Sequence, residues 1–472
     1  MENNQQLHKR YGLFTAICMV VGIVIGSGVF FKAQDILKYT GGSMLLGTLA
    51  WIIGGIVMII CAFNFANFAT KFVKVNGVVD YAEAIVGKKY AYMTGWFLST
   101  IYFPAMTSVL AWVSARYTIV LFTGVDSFEN MSSGLCLTLG AFYLCAIYAI
   151  NILSPKIAGK LEVSATVIKL IPLAVIVVVG TIVGLVNGNT VEAFAGTSAE
   201  GVAQTAGEID FMSVFSGVAA AAFAYEGWII ATSINAELKE PKKNLPRALV
   251  IGTIIIMAVY ILYFIGLTGG ASVEELISEG SPKAFNALFG KIGGTVMNAF
   301  IVVSCLGTLN GLMLACTRSM YSIAVRDCGP KPKMFASVDP ETNMPSNSGV
   351  LALLCCGAWF FYFYAANMNP IFGLFNFDSS ELPIITIYAL YIPIFIMFIV
   401  KEGKKDTFKN VFMPILAIIA SLFMVFVAIY AHGIRPYQQA AANGTFAFPV
   451  LFYLIVFAVI MGIGALFYKK KA

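Results

Sequence analysis

The residues best placed to handle a small molecule begin at Val24-Ile25-Gly26-Ser27-Gly28-Val29-Phe30, which interrupts an apolar segment starting near Tyr11. In hydrocarbon an unpaired backbone amide or carbonyl costs several kcal/mol, so irregular backbone survives where it lines a protein cavity. Glycine also lets a ligand approach the main chain closely. The amides of Ser27, Gly28 and Val29 would open a second half-helix and point at an anion, with the positive end of the helix dipole behind them. This pattern reads as a carboxylate cradle at mid-membrane depth. Close helix packing competes with that reading, because Gly22 and Gly26 are four apart and small-xxx-small spacing brings helices together.

A second interruption lies at Phe223-Ala224-Tyr225-Glu226-Gly227-Trp228. An acid beside a glycine, between aromatics and inside an apolar run, is hard to explain as packing. Breaks at matching places in two halves of a chain point to a transporter site built from inverted repeats. Lys169 lies in the apolar run of span 5, with Lys160 and Glu162 the nearest upstream charges. A lysine that deep needs carbonyls, a carboxylate or water around it, or it snorkels to the interface two turns away. Tyr102 and Pro104 interrupt span 3, where proline either frees a carbonyl toward a cavity or simply kinks the helix. Asn310, in Ser304-Cys305-Leu306-Gly307-Thr308-Leu309-Asn310-Gly311, either cross-links helices or lines a path. Arg116 is expected to snorkel at the outer interface. Asp378 and Glu381 either face an outer vestibule or cap span 10. The two histidines, His8 and His432, lie in the tail or near a span end, and there is no His/Cys/carboxylate cluster. That leaves no support for a metal site, a catalytic triad or an enzyme, and no cofactor is expected.

The elements that must hold these residues are membrane helices. Apolar residues make up 59% of the 472 positions and charged residues 11%, which implies an all-α integral membrane protein. Twelve spans are expected, at 11–38, 44–70, 91–123, 134–153, 161–186, 211–236, 247–270, 290–323, 348–366, 371–400, 410–431 and 447–468. Nothing between them is long enough for a soluble domain. The first span lacks a small-x-small cleavage site and is read as retained. The net charge of +6 reflects orientation, not nucleic-acid binding. Lysines and arginines fill one set of loops and the tails (Lys9, Arg10, Lys71, Lys74, Lys239, Arg326, Lys401, Lys469 among them). Acids fill the other set (Asp126, Glu129, Glu192, Glu200, Glu208, Glu274), so both termini are expected inside. No predicted outer loop carries any of the nine cysteines, and no structural disulfide is expected. Spans 11 and 12 have no ionisable group inside their apolar runs. The division is a tail at 1–10, two five-helix halves at 11–186 and 211–400 forming the core 11–400, two further helices at 401–468, and a tail at 469–472.

Together the GSGVF and FAYEGW breaks, the ELKEPKKNLPRAL loop and the SCLGTLNG stretch resemble the amino acid–polyamine–organocation superfamily. The nearest likeness is to bacterial members of its L-type amino acid transporter branch. The resemblance implies a five-plus-five inverted repeat of the LeuT type with two C-terminal helices, with spans 1 and 6 unwound at mid-membrane. It implies sodium-independent exchange of neutral L-amino acids across the plasma membrane by alternating access. The substrate carboxylate would meet Gly26, Ser27 and Gly28, and the ammonium would meet Val24, Phe223, Ala224 and Glu226. Phe223 would act as the gate, and Lys169 would replace the sodium ion of sodium-coupled relatives. Animal members join a glycoprotein subunit through an outer-loop cysteine, so the resemblance implies no disulfide-linked accessory subunit here. Glu226 departs from the glycine usual in animal members. It opens a second reading, a proton-coupled symporter of amino acids or amines. A nutrient-sensing receptor or channel without active transport is a third.

Overall fold

The computed structural model describes residues 12–72, 77–123, 133–196, 210–229, 238–367 and 371–468. His8, Lys9, Arg10, Lys74, Asn76, Asp126, Glu129, Glu200, Glu208, Glu237, both tails and the second half of span 6 lie outside the described residues.

The chain begins with α1 (Leu13–Val24), α2 (Gly28–Tyr39), α3 (Met44–Lys71), α4 (Val78–Ile85) and α5 (Lys88–Phe97). A π turn at Leu98–Tyr102 leads into α6 (Phe103–Thr123), and then come α7 (Ser133–Leu153) and α8 (Pro155–Val175). A second π turn at Ile176–Gly180 precedes α9 (Thr181–Val186), α10 (Asn189–Ala195), α11 (Ser213–Tyr225) and α12 (Pro241–Gly266). The rest is α13 (Val273–Ser278), α14 (Ser281–Ala324), α15 (Pro332–Phe335), α16 (Ser346–Asn367), α17 (Leu382–Glu402), α18 (Met413–Ile429), α19 (Arg435–Ala442) and α20 (Pro449–Leu466). Among the described residues ten helices are long and apolar enough to cross a membrane, and two apolar helices, Leu13–Gly22 and Ser213–Tyr225, are shorter. The two short ones end beside the two glycine-containing breaks, where the helical hydrogen-bond ladder stops.

Lipid tails are as apolar as side chains, so these helices associate through close van der Waals contact rather than hydrophobic exclusion. Glycines make that contact possible at particular crossings. A Cβ on Gly180 would lie 2.3 Å from the Gly266 carbonyl oxygen, and one on Gly269 would lie 2.0 Å from the Gly180 carbonyl oxygen. The π turn after α8 therefore touches the end of α12 backbone to backbone. Gly22 of α1 packs on Thr166 of α8, Gly307 of α14 packs on Ala165 of α8, and Gly252 of α12 packs on Val20 of α1. An aromatic cluster on Phe65 of α3, with Tyr81, Trp228, Tyr391 and Phe395 at ring centroid distances of 4.9–5.9 Å, fills the space beneath the second break.

Polar ties close both ends of the bundle. At the end where α1 starts, Arg326 after α14 binds Glu83 of α4 at 3.1 Å and also Asp80, while Lys71 binds Glu402 at 3.2 Å. At the opposite end Arg435 donates from both terminal nitrogens to the Tyr39 carbonyl, each at 3.0 Å, satisfying the last turn of α2. Gln34 of α2 donates to the Ile277 carbonyl at 2.7 Å.

Candidate substrate site

The two breaks meet. Helix α1 stops at Val24, Ile25 is extended (φ −65°, ψ 98°), and Ser27 caps α2. The Phe30 amide turns back to the Ser27 carbonyl at 3.0 Å, the amides of Gly28 and Val29 have no turn behind them, and the Ser27 hydroxyl is fully buried without a hydrogen-bond partner. Helix α11 stops at Tyr225, Glu226 is extended (φ −73°, ψ 159°), and Gly227 takes φ +105°, a conformation that L side chains rarely adopt. Gly28 lies directly on this second break. A Cβ there would be 2.8 Å from Ala224 Cα and 3.3 Å from Phe223 Cδ1, so Gly28 is required for the close packing of the two breaks. Gly26 abuts Thr308 of α14 at 2.9 Å by the same measure. One side chain bridges the breaks: the Tyr260 hydroxyl, from α12, donates to the carbonyls of Val24 (3.1 Å) and Ala224 (3.0 Å). In this conformation a phenol holds two carbonyls that the family resemblance offers to a substrate ammonium.

Glu226 bonds a different tyrosine. Its Oε1 accepts a hydrogen bond from Tyr102, its Oε2 has no partner, and it acts electrostatically on Tyr388 and Tyr391 of α17. Tyr102 ends the π turn before α6. Pro104, two residues on, has no N–H to return to the preceding turn, and the Thr100 carbonyl instead accepts from Trp359 Nε1 of α16 at 2.9 Å. That carbonyl serves helix packing.

Phe223 packs edge-on to Phe31 with ring centroids 5.1 Å apart, and Lys32 Nζ lies 5.4 and 5.5 Å from the two rings. Lys32 is buried and binds Glu381 Oε1 at 2.6 Å, Asp35 Oδ2 at 3.4 Å and Ser380 Oγ at 3.2 Å. His432 Nε2 lies 3.1 Å from the other oxygen of Glu381. Glu381 is 0% exposed, a vestibule acid turned inward. Asp378 does cap: its Oδ1 accepts from the amides of Ser380 (2.6 Å) and Glu381 (2.9 Å). Arg116 does not snorkel. It is buried and donates to Gln34 Oε1 at 3.2 Å, because α6 runs through the bundle interior and the Gln34 amide offers an acceptor there. The sequence reading passed over Lys32 and Tyr260. A signal existed for the first, a cation one helical turn after Gly28 on the same half-helix.

Lys169 is 2% exposed. It lies one turn beyond Ala165 and Thr166, the α8 residues that touch Gly307 of α14 and Gly22 of α1, so it belongs to the face that meets both helices. Glu162 acts on it electrostatically, and the buried Ser304 hydroxyl of α14 has no partner. Asn310 cross-links: it donates to Glu162 Oε2 and to the Ala158 carbonyl, both at 3.1 Å, and accepts from Asn151 at 2.9 Å. It thereby joins α7, α8 and α14.

Comparison with known proteins fits this architecture. The chain is 31% identical over 431 residues to the serine/threonine exchanger SteT of Bacillus subtilis (strain 168), covering 89% of this chain and 91% of that one. It is 26% identical over 431 residues to the b(0,+)-type amino acid transporter 1 of Homo sapiens, covering 89% and 82%. The crystal structure of MhsT in complex with L-phenylalanine shares the fold, with a TM-score of 0.54 and 16% identity over 91% of this chain and all of that one. The family model for amino acid permeases matches residues 11–460. The chain is therefore a multi-pass membrane protein that belongs to the amino acid permease family.

Proposed function

We propose that the chain exchanges neutral L-amino acids across the plasma membrane by alternating access, without sodium, and with both termini in the cytoplasm. The observation that carries this reading is Lys169, buried on the α8 face that meets α1 and α14. A covalently held cation supplies one positive charge and three donors where a sodium-coupled carrier would hold a free ion. It cannot be pumped, so the driving force must come from another gradient, and an outgoing amino acid is the simplest. The unpartnered Ser27 hydroxyl and the leading amides of α2, with Gly26 and Gly28 beside them, would take the carboxylate. Val24, Phe223, Ala224 and Glu226 would take the ammonium once Tyr260 swings off its two carbonyls, and Phe223 would close the site. In this reading residues 11–186 and 211–400 are the two inverted repeats, and no disulfide-linked accessory subunit takes part.

SteT is named for serine and threonine, which makes these the first substrates to try. Purified protein in liposomes should take up labelled L-threonine only when amino acid is loaded inside, equally well when choline replaces sodium. A strict sodium requirement overturns the reading. The free Oε2 of Glu226 supports a second reading, proton symport: uptake into empty liposomes driven by an imposed proton gradient would favour it. Conductance, or binding without accumulation, would favour a channel or receptor.

A further inference from the structure

Outside the central site, at the end opposite the start of α1, a cavity of about 440 Å³ opens between the end of α2, α11, the 376–378 segment and α19. This volume lies within the range of small-molecule sites, about 300–1,000 Å³. Its walls are polar and unevenly charged. Lys38, His432 and Arg435 line it together with Asp378. Asp378 is already engaged in capping, with three donors on Oδ1, two from Ser380 and one from the Glu381 amide. Two lining groups lack hydrogen-bond partners: the Ser216 hydroxyl, 3% exposed, and Asn376 Oδ1. A buried polar group without a partner costs about 1–3 kcal/mol, which a bound polar ligand would remove.

We propose that this cavity is a second, outward-facing site for small zwitterionic carboxylates, free amino acids among them; the substrate class and orientation rest on the function proposed above. The carboxylate lies toward Arg435 and Lys38, and the ammonium toward Asp378 and Asn376 Oδ1. His432 ties this site to the gate. It lines the cavity and its Nε2 is 3.1 Å from Glu381, which holds Lys32 over the Phe31 and Phe223 rings. A carboxylate in the cavity beside His432 changes the charge around Glu381, so occupancy is felt at Phe223.

Gln439, an exposed wall residue, allows a test that leaves packing intact. In oriented liposomes, Gln439→Lys should lower and Gln439→Glu should raise the outer-face KM for L-threonine by about three- to tenfold, as expected for one charge several ångströms from the ligand. The inner-face KM and the turnover rate should stay unchanged. The same pair of charges at Asn443, one turn further along the chain and outside the cavity lining, should have no effect. Shifts of the same sign for both Gln439 variants, no shift, or an equal response at Asn443 would overturn the site. A transport-independent arm separates this failure from failure of the exchange reading. Equilibrium binding of labelled L-threonine to the purified protein should tighten in Gln439→Lys and weaken in Gln439→Glu even if liposomes show no uptake. Unchanged binding in both variants, or none in the wild type, also overturns the site.

Discussion

Replacing Tyr260 with phenylalanine should tighten amino acid binding, although it removes a buried hydrogen bond at the centre of the protein. The hydroxyl donates one proton to two carbonyls, Val24 at 3.1 Å and Ala224 at 3.0 Å. The phenylalanine ring keeps the edge contact with Trp51 and the tilted contact with Tyr225, whose centroids are 5.4 and 5.2 Å away. The main loss is the donor, which leaves two buried carbonyls short and destabilises the substrate-free form by about 1–3 kcal/mol. In the function proposed above, a bound ammonium has three donors and would serve both carbonyls in either protein. In the wild type it must first displace the phenol, and in Tyr260→Phe it need not. If half of the lost energy returns as affinity, about 0.5–1.5 kcal/mol, Kd falls roughly two- to twelvefold. Radioligand binding to purified protein reads this directly. Thermal unfolding adds a second view: the midpoint without substrate should drop, and saturating substrate should recover more in the variant than in the wild type. A weaker Kd would refute the reasoning, because it would make the phenol a substrate contact instead of a stand-in for the ammonium.

Lys32→Met strands the fully buried Glu381 and should cost about 3–5 kcal/mol, whereas Lys32→Met with Glu381→Leu should regain most of it. Equal unfolding midpoints for single and double variants would show that the pair is solvated. Gly180→Ala places a methyl against the Gly266 carbonyl with backbone on both sides, so neither can rotate away; a loss of at least about 1–3 kcal/mol and poor expression are expected. Wild-type stability would show that α8 and α12 are not in backbone contact. Lys169→Ala should insert normally yet lower the exchange rate at least about tenfold, the equivalent of about 1.4 kcal/mol, near the low end for losing a hydrogen bond to a charged group. Unaltered exchange would reduce the lysine to scaffold.

The backbone breaks were legible because they depend on local chemistry. Two glycines around a serine, or an acid beside a glycine, cannot continue a lipid-facing helix unnoticed. Lys169 was legible for the same reason, as a charge where hydrocarbon forbids one. The pairings were not legible. Lys32 and Glu381 are 349 positions apart, and nothing local distinguishes a capping acid from one turned inward. Tyr260 sits in an apolar run where a tyrosine reads as one more aromatic. Pro104 and Asn310 each left two outcomes open. Trp359 and Asn151 decided between them, and both lie on other helices.

The π turn at Leu98–Tyr102 joins two registers that one regular helix could not satisfy. Before it, Tyr92 and Trp96 donate to the carbonyls of Gly464 (2.7 Å) and Ile460 (2.9 Å) on α20; at its last residue, Tyr102 reaches Glu226. A π turn accommodates one residue more than an α turn, and one residue of α-helix is a rotation of about 100°. Deleting Thr100 would therefore force a choice between losing both α20 anchors and withdrawing the tyrosine from the acid. In a lineage this makes a single in-frame codon loss equivalent to a wholesale change of the side chain presented to Glu226. Descendants could acquire a new selectivity by frame-preserving deletion, with no substitution in the pocket itself, provided α20 were rewritten to follow.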